Sequence, residues 1–194
     1  MLSTTQIMQL ALDLVGFDAI PPDSAILVEG SRVRRALFGI DVGPAELLLA
    51  RQLGLDAAIA HHPSAAVLTY ADVLERHVAQ MTGAGVPLAE ARAAVDPLKE
   101  AFALRYHRGN YGEVPSVARL LGLPYLNIHN PLDELGRRIM DKAVQKTLAT
   151  AGPGARVRDV VDGLMSLPEF QTAPTRPLVV LGSPDNAAGR VFLS

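Results

Sequence analysis

Five histidines occur in a chain that has no cysteine, and two of them, His61 and His62, are adjacent in "AIAHHPSAA". Successive side chains on a regular strand point to opposite faces, so a flat strand cannot aim both imidazoles at one point. At a strand end this restriction relaxes, and Pro63 holds His62 in an extended conformation. Two imidazoles leaving such an end at different angles suit two neighbouring metal ions, one each. A second group has matching logic. His129 closes "YLNIH", and Asp133 follows four residues later, in what reads as the first turn of a helix. A carboxylate is favoured there by the helix dipole and the free backbone amides, and it can bridge two cations. Neutral imidazoles with a carboxylate suit Zn, Mn or Fe(II), and the pattern does not choose among them.

These residues need elements that bring them together. "RRALFGID" reads as a buried strand ending at Asp41. "VGPAELLLARQLG" reads as a helix, with Pro44 in its first turn and Gly54 at its end. "DAAIAHH" reads as the next strand. Strand, helix and strand in so few residues predict a βαβ unit with a parallel pair, which puts Asp41 and the histidine pair on one sheet edge. If "LPYLNIH" joins the same parallel sheet, His129 and Asp133 reach that edge too, where ligands of open α/β sheets collect.

The remainder is mostly helical. Ser3 and Gln6 suit a capping box for an N-terminal helix that Gly16 ends. Residues 69–122 predict helices, the first opened by Thr69 and Asp72 with Leu74, Val78 and Met81 inward. A further start is expected at Asp96-Pro97, and "PSVARLLG" reads as a short helix. Asn130 and Pro131 open a long helix. The tail predicts a helix at "VRDVVDGLMSL" and a strand at "PLVVLG", with "TAGPGA" as the best linker candidate. The expected architecture is one α/β domain over 1–194: a mainly parallel sheet with flanking helices, built from βαβ units, with a helical middle segment.

Blander readings compete for the same residues. A histidine pair before proline also suits a hydrogen-bonded loop. His129 alone reads as a structural histidine and Asp133 alone as a helix-start carboxylate. His77 reads as a partly buried helix residue, and His107 as a loop residue.

Composition narrows the classes. With 194 residues, of which 49% are hydrophobic, the chain has enough apolar mass for a packed core, and scarce aromatics leave that core to aliphatic side chains and alanine. A formal net charge of −2 argues against nucleic-acid or membrane-surface binding driven by charge. The lack of cysteine removes disulfides and thiolate metal sites and fits a cytoplasmic location. No targeting segment or run of transmembrane length is visible.

Three segments in order carry a family resemblance. "GIDVGPAELLLARQLGLDAAIAHHP" is similar to the opening strand, helix and His-His-Pro signature of the NGG-one-interacting-factor-three-like family, some members of which are called type 2 homologues of GTP cyclohydrolase I. "VARLLGLPYLNIHNPLD" resembles the segment with its His-x-x-x-Asp element, and "LPEFQTAPTRPLVVLGSPDNAAGRVFLS" the stretch that precedes a glycine- and threonine-rich turn in one branch. The resemblance implies an α/β fold, a two-metal centre and a homo-oligomeric ring, often a hexamer. It implies His61 and His62 as ligands, Asp133 as bridging carboxylate, and His129 as second shell or proton-transfer group. Asp41 matches an acidic position at the end of the opening strand. Two departures stand out. The family's downstream His-x-x-x-Glu ligands have no counterpart up to Ser194, so the chain reads as shortened at its C-terminus. Tyr111 stands where relatives often carry histidine. The divalent metal, Zn, Mn or Fe, is therefore expected at one or two ions per chain, with water or another subunit completing the centre. The expected function is a metal-dependent hydrolase, cyclohydrolase-like or phosphoesterase-like, or alternatively a non-enzymatic metal-binding or protein-interaction module.

Overall fold

The computed structural model describes residues 1–64, 70–107 and 109–193, and its backbone divides into two compact units, Met1–Glu134 and Leu135–Ser194.

The first unit opens with α1 (Thr4–Val15), capped as its residues require. Ser3 Oγ accepts from the Gln6 N–H at 3.0 Å, Gln6 Oε1 accepts from the Ser3 N–H at 2.8 Å, and Gly16 takes the left-handed conformation that ends the helix. Strands β1 (Ala25–Val28) and β2 (Ala36–Gly39), helix α2 (Pro44–Gln52) and strand β3 (Ala57–Ala60) follow. Helices α3 (Tyr70–Val73), α4 (Glu75–Gly83), α5 (Leu88–His107) and α6 (Glu113–Leu121) lead to β4 (Tyr125–Asn127) and the start of α7 (Asn130–Ala151). The sheet order is β1-β4-β3-β2. β2, β3 and β4 run parallel, in the expected βαβ arrangement, and β1 pairs antiparallel on β4 at one edge. The sequence reading places no strand at Ala25–Val28. With four residues half-buried on both faces, β1 lacks the alternation that marks a strand.

Helices cover both faces of this sheet. Ala58 and Ala60 of β3 and Tyr125 of β4 pack beneath Leu47 and Ala50 of α2 and Ala118 of α6. Ile59 and Leu126, one residue out of step, turn the other way onto Met8, Ala11 and Leu12 of α1. Ala58, Ala60, Leu47 and Ala50 are all 0% exposed, so close approach of α2 to β3 depends on alanine at these positions.

The middle helices form their own cluster, Val78, Ala91 and Val95 with Leu74 and Met81 against them, as the predicted inward stripe requires. The predicted helix start at Thr69 lies outside the described residues. The start expected at Asp96-Pro97 is not one: α5 continues through Pro97. Proline has no N–H for the helical ladder, yet both sides of it are tied to the neighbouring helix. Arg92 Nη2 lies 3.3 Å from Glu75 Oε2, and Lys99 pairs with Glu75 Oε1. His107, expected in a loop, ends the same helix.

The second unit holds the rest of α7, a 3-10 turn at Gly152–Gly154 in place of the expected linker, α8 (Val157–Met165) and α9 (Pro168–Thr172). Gly163 fits α8 to α7: a Cβ there would lie 2.8 Å from Val144 Cα. The strand expected at "PLVVLG" does not form. Leu178, Val180 and Leu181 are 84%, 93% and 94% exposed. Apolar, β-branched composition favours an extended chain, but a strand also needs a paired backbone, which local sequence cannot supply.

Candidate metal centre

The parallel strands deliver their C-terminal ends to one rim. The ladder between β2 and β3 extends beyond their last paired residues: the His61 N–H donates to Gly39 O and the His62 N–H to Ile40 O, each at 2.8 Å. These bonds fix the backbone of both histidines beside the end of β2, where Asp41 sits. On the other side, the Ile128 N–H donates to Ala60 O at 2.9 Å, which sets His129 level with the pair. The Asp133 N–H donates to His129 O at 3.1 Å, closing the first turn of α7 over this rim.

The predicted residues come together. Ring centroids of His61 and His129 are 4.7 Å apart, of His61 and His62 5.1 Å, and of His62 and His129 5.6 Å. One ligand atom from each of the three lies within 4.8 Å of the others, so the group could hold a metal ion. Asp133 faces two of them, with Oδ1 3.2 Å from His61 Nε2 and Oδ2 3.6 Å from His129 Nε2. His129 is buried, His61 half-buried, and His62 and Asp133 exposed, so the group opens to solvent on one side.

The opposite ring nitrogens all meet oxygen. His61 Nδ1 lies 3.1 Å from Ile128 O, His62 Nδ1 2.8 Å from Asp41 Oδ1, and His129 Nδ1 2.5 Å from Asp23 Oδ2. A carbonyl can only accept, and so can an ionised carboxylate, so each Nδ1 carries a proton in these bonds. In the neutral rings the lone pair is then on Nε2. Metal-ligating histidines are commonly oriented in this way, by an acceptor on the far ring nitrogen, and the donor set fits a divalent cation.

Without a cation, a proton can serve in its place. The hydrogen bond to Asp133 raises the His61 pKa against the opposing effect of burial, helped by the Ile128 carbonyl and by the charges of Asp133 and Asp23. Burial pushes the Asp133 carboxyl up, but the His61 bond and the charges of the three imidazoles outweigh it and hold the carboxyl below its ordinary range.

Several supporting contacts escape the sequence reading. Asp23 and Ser24, in a stretch that reads only as a turn, bind the end of β4. Asp23 meets His129 across 106 residues of chain, and Ser24 Oγ accepts the His129 N–H at 3.0 Å. Arg76 of α4, under the Phe17 ring, donates to Asn130 and, at 2.5 Å, to buried Glu134, anchoring the first turn of α7 that carries Asp133. Beyond the pair, Ser64 Oγ bonds the buried Tyr125 hydroxyl at 2.9 Å. Of the remaining histidines, His77 is the partly buried residue of α4 that the sequence suggests. Tyr111 is exposed, between α5 and α6.

Neither a family model nor a curated relative matches the chain. Among solved structures, it is similar to the crystal structure of a NIF3 superfamily protein from Sphaerobacter thermophilus. The TM-score is 0.92 and the identity 48%, over 96% of this chain and 68% of that one. So close a backbone match, with nearly every second residue identical along almost the full chain, exceeds what a shared fold alone requires: the chain belongs to the NIF3 superfamily.

Proposed function

We propose that the rim group binds a divalent metal, Zn, Mn or Fe(II), at one or two ions per chain, and that it serves a hydrolytic reaction. His61 and His62 are the ligands, Asp133 the bridging carboxylate and His129 the proton carrier. The observation that carries this reading is the shared orientation of the imidazoles, each with Nδ1 on an oxygen acceptor. A bound divalent cation supplies Lewis acidity, which polarises a phosphoryl group or ring carbon and makes water more acidic. The chain's own part is positional. The strand ends hold the ring nitrogens in place, Asp133 balances positive charge, and His129, buried beside it, moves a proton at Nε2. Substrate enters from the open side, past His62 and Asp133. The proposal includes a cytoplasmic location and a homo-oligomeric state. No helix among the described residues is long and apolar enough to cross a membrane.

A second reading has its own support. The proposed donors are few for two ions, and Leu178, Val180 and Leu181 present exposed apolar side chains of the kind that protein partners cover. A metal-binding interaction module without turnover fits both facts. Elemental analysis and zinc titration of the purified chain test the metal reading, with no bound metal as the result against it. Assays of the metal-loaded protein on nucleotides and phosphoesters separate the two readings. Turnover lost in His62→Ala supports the hydrolase, and metal binding without turnover supports the module.

A further inference from the structure

Asp23 is fully buried, and its Oδ2 lies 2.5 Å from His129 Nδ1. A carboxylate withdrawn from water is costly unless hydrogen bonds replace the lost hydration, so a buried one beside an imidazole constrains that ring strongly. The same turn grips the end of β4 in two further ways: Ser24 Oγ accepts the His129 N–H at 3.0 Å, and the Asp23 carbonyl accepts from Asn127 Nδ2 at 2.6 Å. Ring, main chain and a neighbouring side chain are therefore held from one short segment. Asp41, which meets His62 in the same manner, has a side chain 85% exposed, where water competes for the bond. The two carboxylates are unequal as anchors.

We propose that Asp23 is a positioning residue for His129. It keeps the ring proton on Nδ1, so that the Nε2 lone pair is presented to Asp133 and the other two imidazoles. Asp23 is closed off from solvent, and its Oδ2 reaches the rim group through the His129 ring. The assignment of Asp23 is independent of turnover, and it rests on the metal reading only for its consequence in metal affinity.

Long-range 1H–15N correlation spectra of the metal-free, 15N-labelled chain at a pH of about 8 report the tautomer of each ring, with His129 assigned by comparison with His129→Gln. The expected wild-type result is the Nδ1–H form. In Asp23→Asn the side-chain amide can turn its NH2 toward Nδ1, so the His129 signal should shift toward the Nε2–H form. Zinc affinity should then fall as well, because an Nε2–H of His129, in place of a lone pair, faces the cation beside His61 and His62. Circular dichroism checks that the variant folds; if it does not, the wild-type tautomer decides alone. An Nε2–H ring in the wild type would overturn the proposal, as would a folded Asp23→Asn chain with unchanged tautomer and zinc affinity. A wild-type chain that binds no zinc would defeat the metal reading instead, with the tautomer still judging Asp23.

Discussion

His61 Nε2 and Asp133 Oδ1 stand 3.2 Å apart, joining the end of β3 to the first turn of α7. This contact raises the His61 pKa above its ordinary 6.5. In Asp133→Asn the His61 titration, followed by NMR on the metal-free protein, should move back toward that value. Zinc affinity, measured by calorimetry, should fall by more than the roughly 10–100-fold that outer-shell losses cost. An unchanged affinity would remove Asp133 from the proposed ligands.

Asp56 gives a pH-dependent prediction away from the centre. Its Oδ2 accepts the N–H groups of Arg34 and Arg35, each at 2.9 Å, and these backbone bonds, Arg35 first, hold its pKa below the ordinary carboxylate range. A carboxylate with a depressed pKa in the folded state stabilises the fold above the unfolded pKa of about 3.9 and loses that effect as pH falls through the folded value. Asp56→Asn should therefore lower the urea midpoint at neutral pH. The gap between variant and wild type should close as pH falls below the ordinary carboxylate range and Asp56 takes up its proton.

Pro97 interrupts the hydrogen-bond ladder of α5, and the Glu75 ion pairs with Arg92 and Lys99 on either side help hold the helix together. Pro97→Ala restores a donor and should stabilise by about 1–2 kcal/mol, the full helix penalty of about 3 kcal/mol being offset by the more flexible unfolded chain. Thermal melting should show a higher midpoint; a lower one would mean that Pro97 packs productively where it is.

Gly163→Ala tests the approach of α8 to α7. Alanine is favoured over glycine inside a helix by about 1 kcal/mol, but the added Cβ would meet Val144 Cα at 2.8 Å, and backbone cannot swing aside. A net loss of about 1–3 kcal/mol is expected, read as a lower unfolding midpoint.

What the sequence discloses depends on how far apart the partners lie. The β2–α2–β3 unit is punctuated locally, with Pro44 at a helix start and Gly54 in the left-handed conformation after its end, so the proximity of Asp41 and His62 follows from topology. His129 and Asp133 are likewise one helical turn apart. Asp23 has no such signal. Its partner is 106 residues away, and a turn rich in proline and aspartate looks the same whether or not an imidazole lies over it. Arg76 and Glu134 are hidden for the same reason. At Pro97 local preference was overruled by packing against α4. At Leu178, Val180 and Leu181 preference alone was insufficient, because pairing is a property of two segments.

The tight seat of β3 under α2 ties chemistry to core volume. Sliding β3 by a single residue would exchange the outlooks of His61 and His62 and thrust Ile59 into space now filled by alanine methyls. Surface loops can change without disturbing this packing, but the spacing of these imidazoles is tied to it. Any lineage that enlarged Ala58 or Ala60 would need a compensating cut in Leu47 before it could keep the same grip.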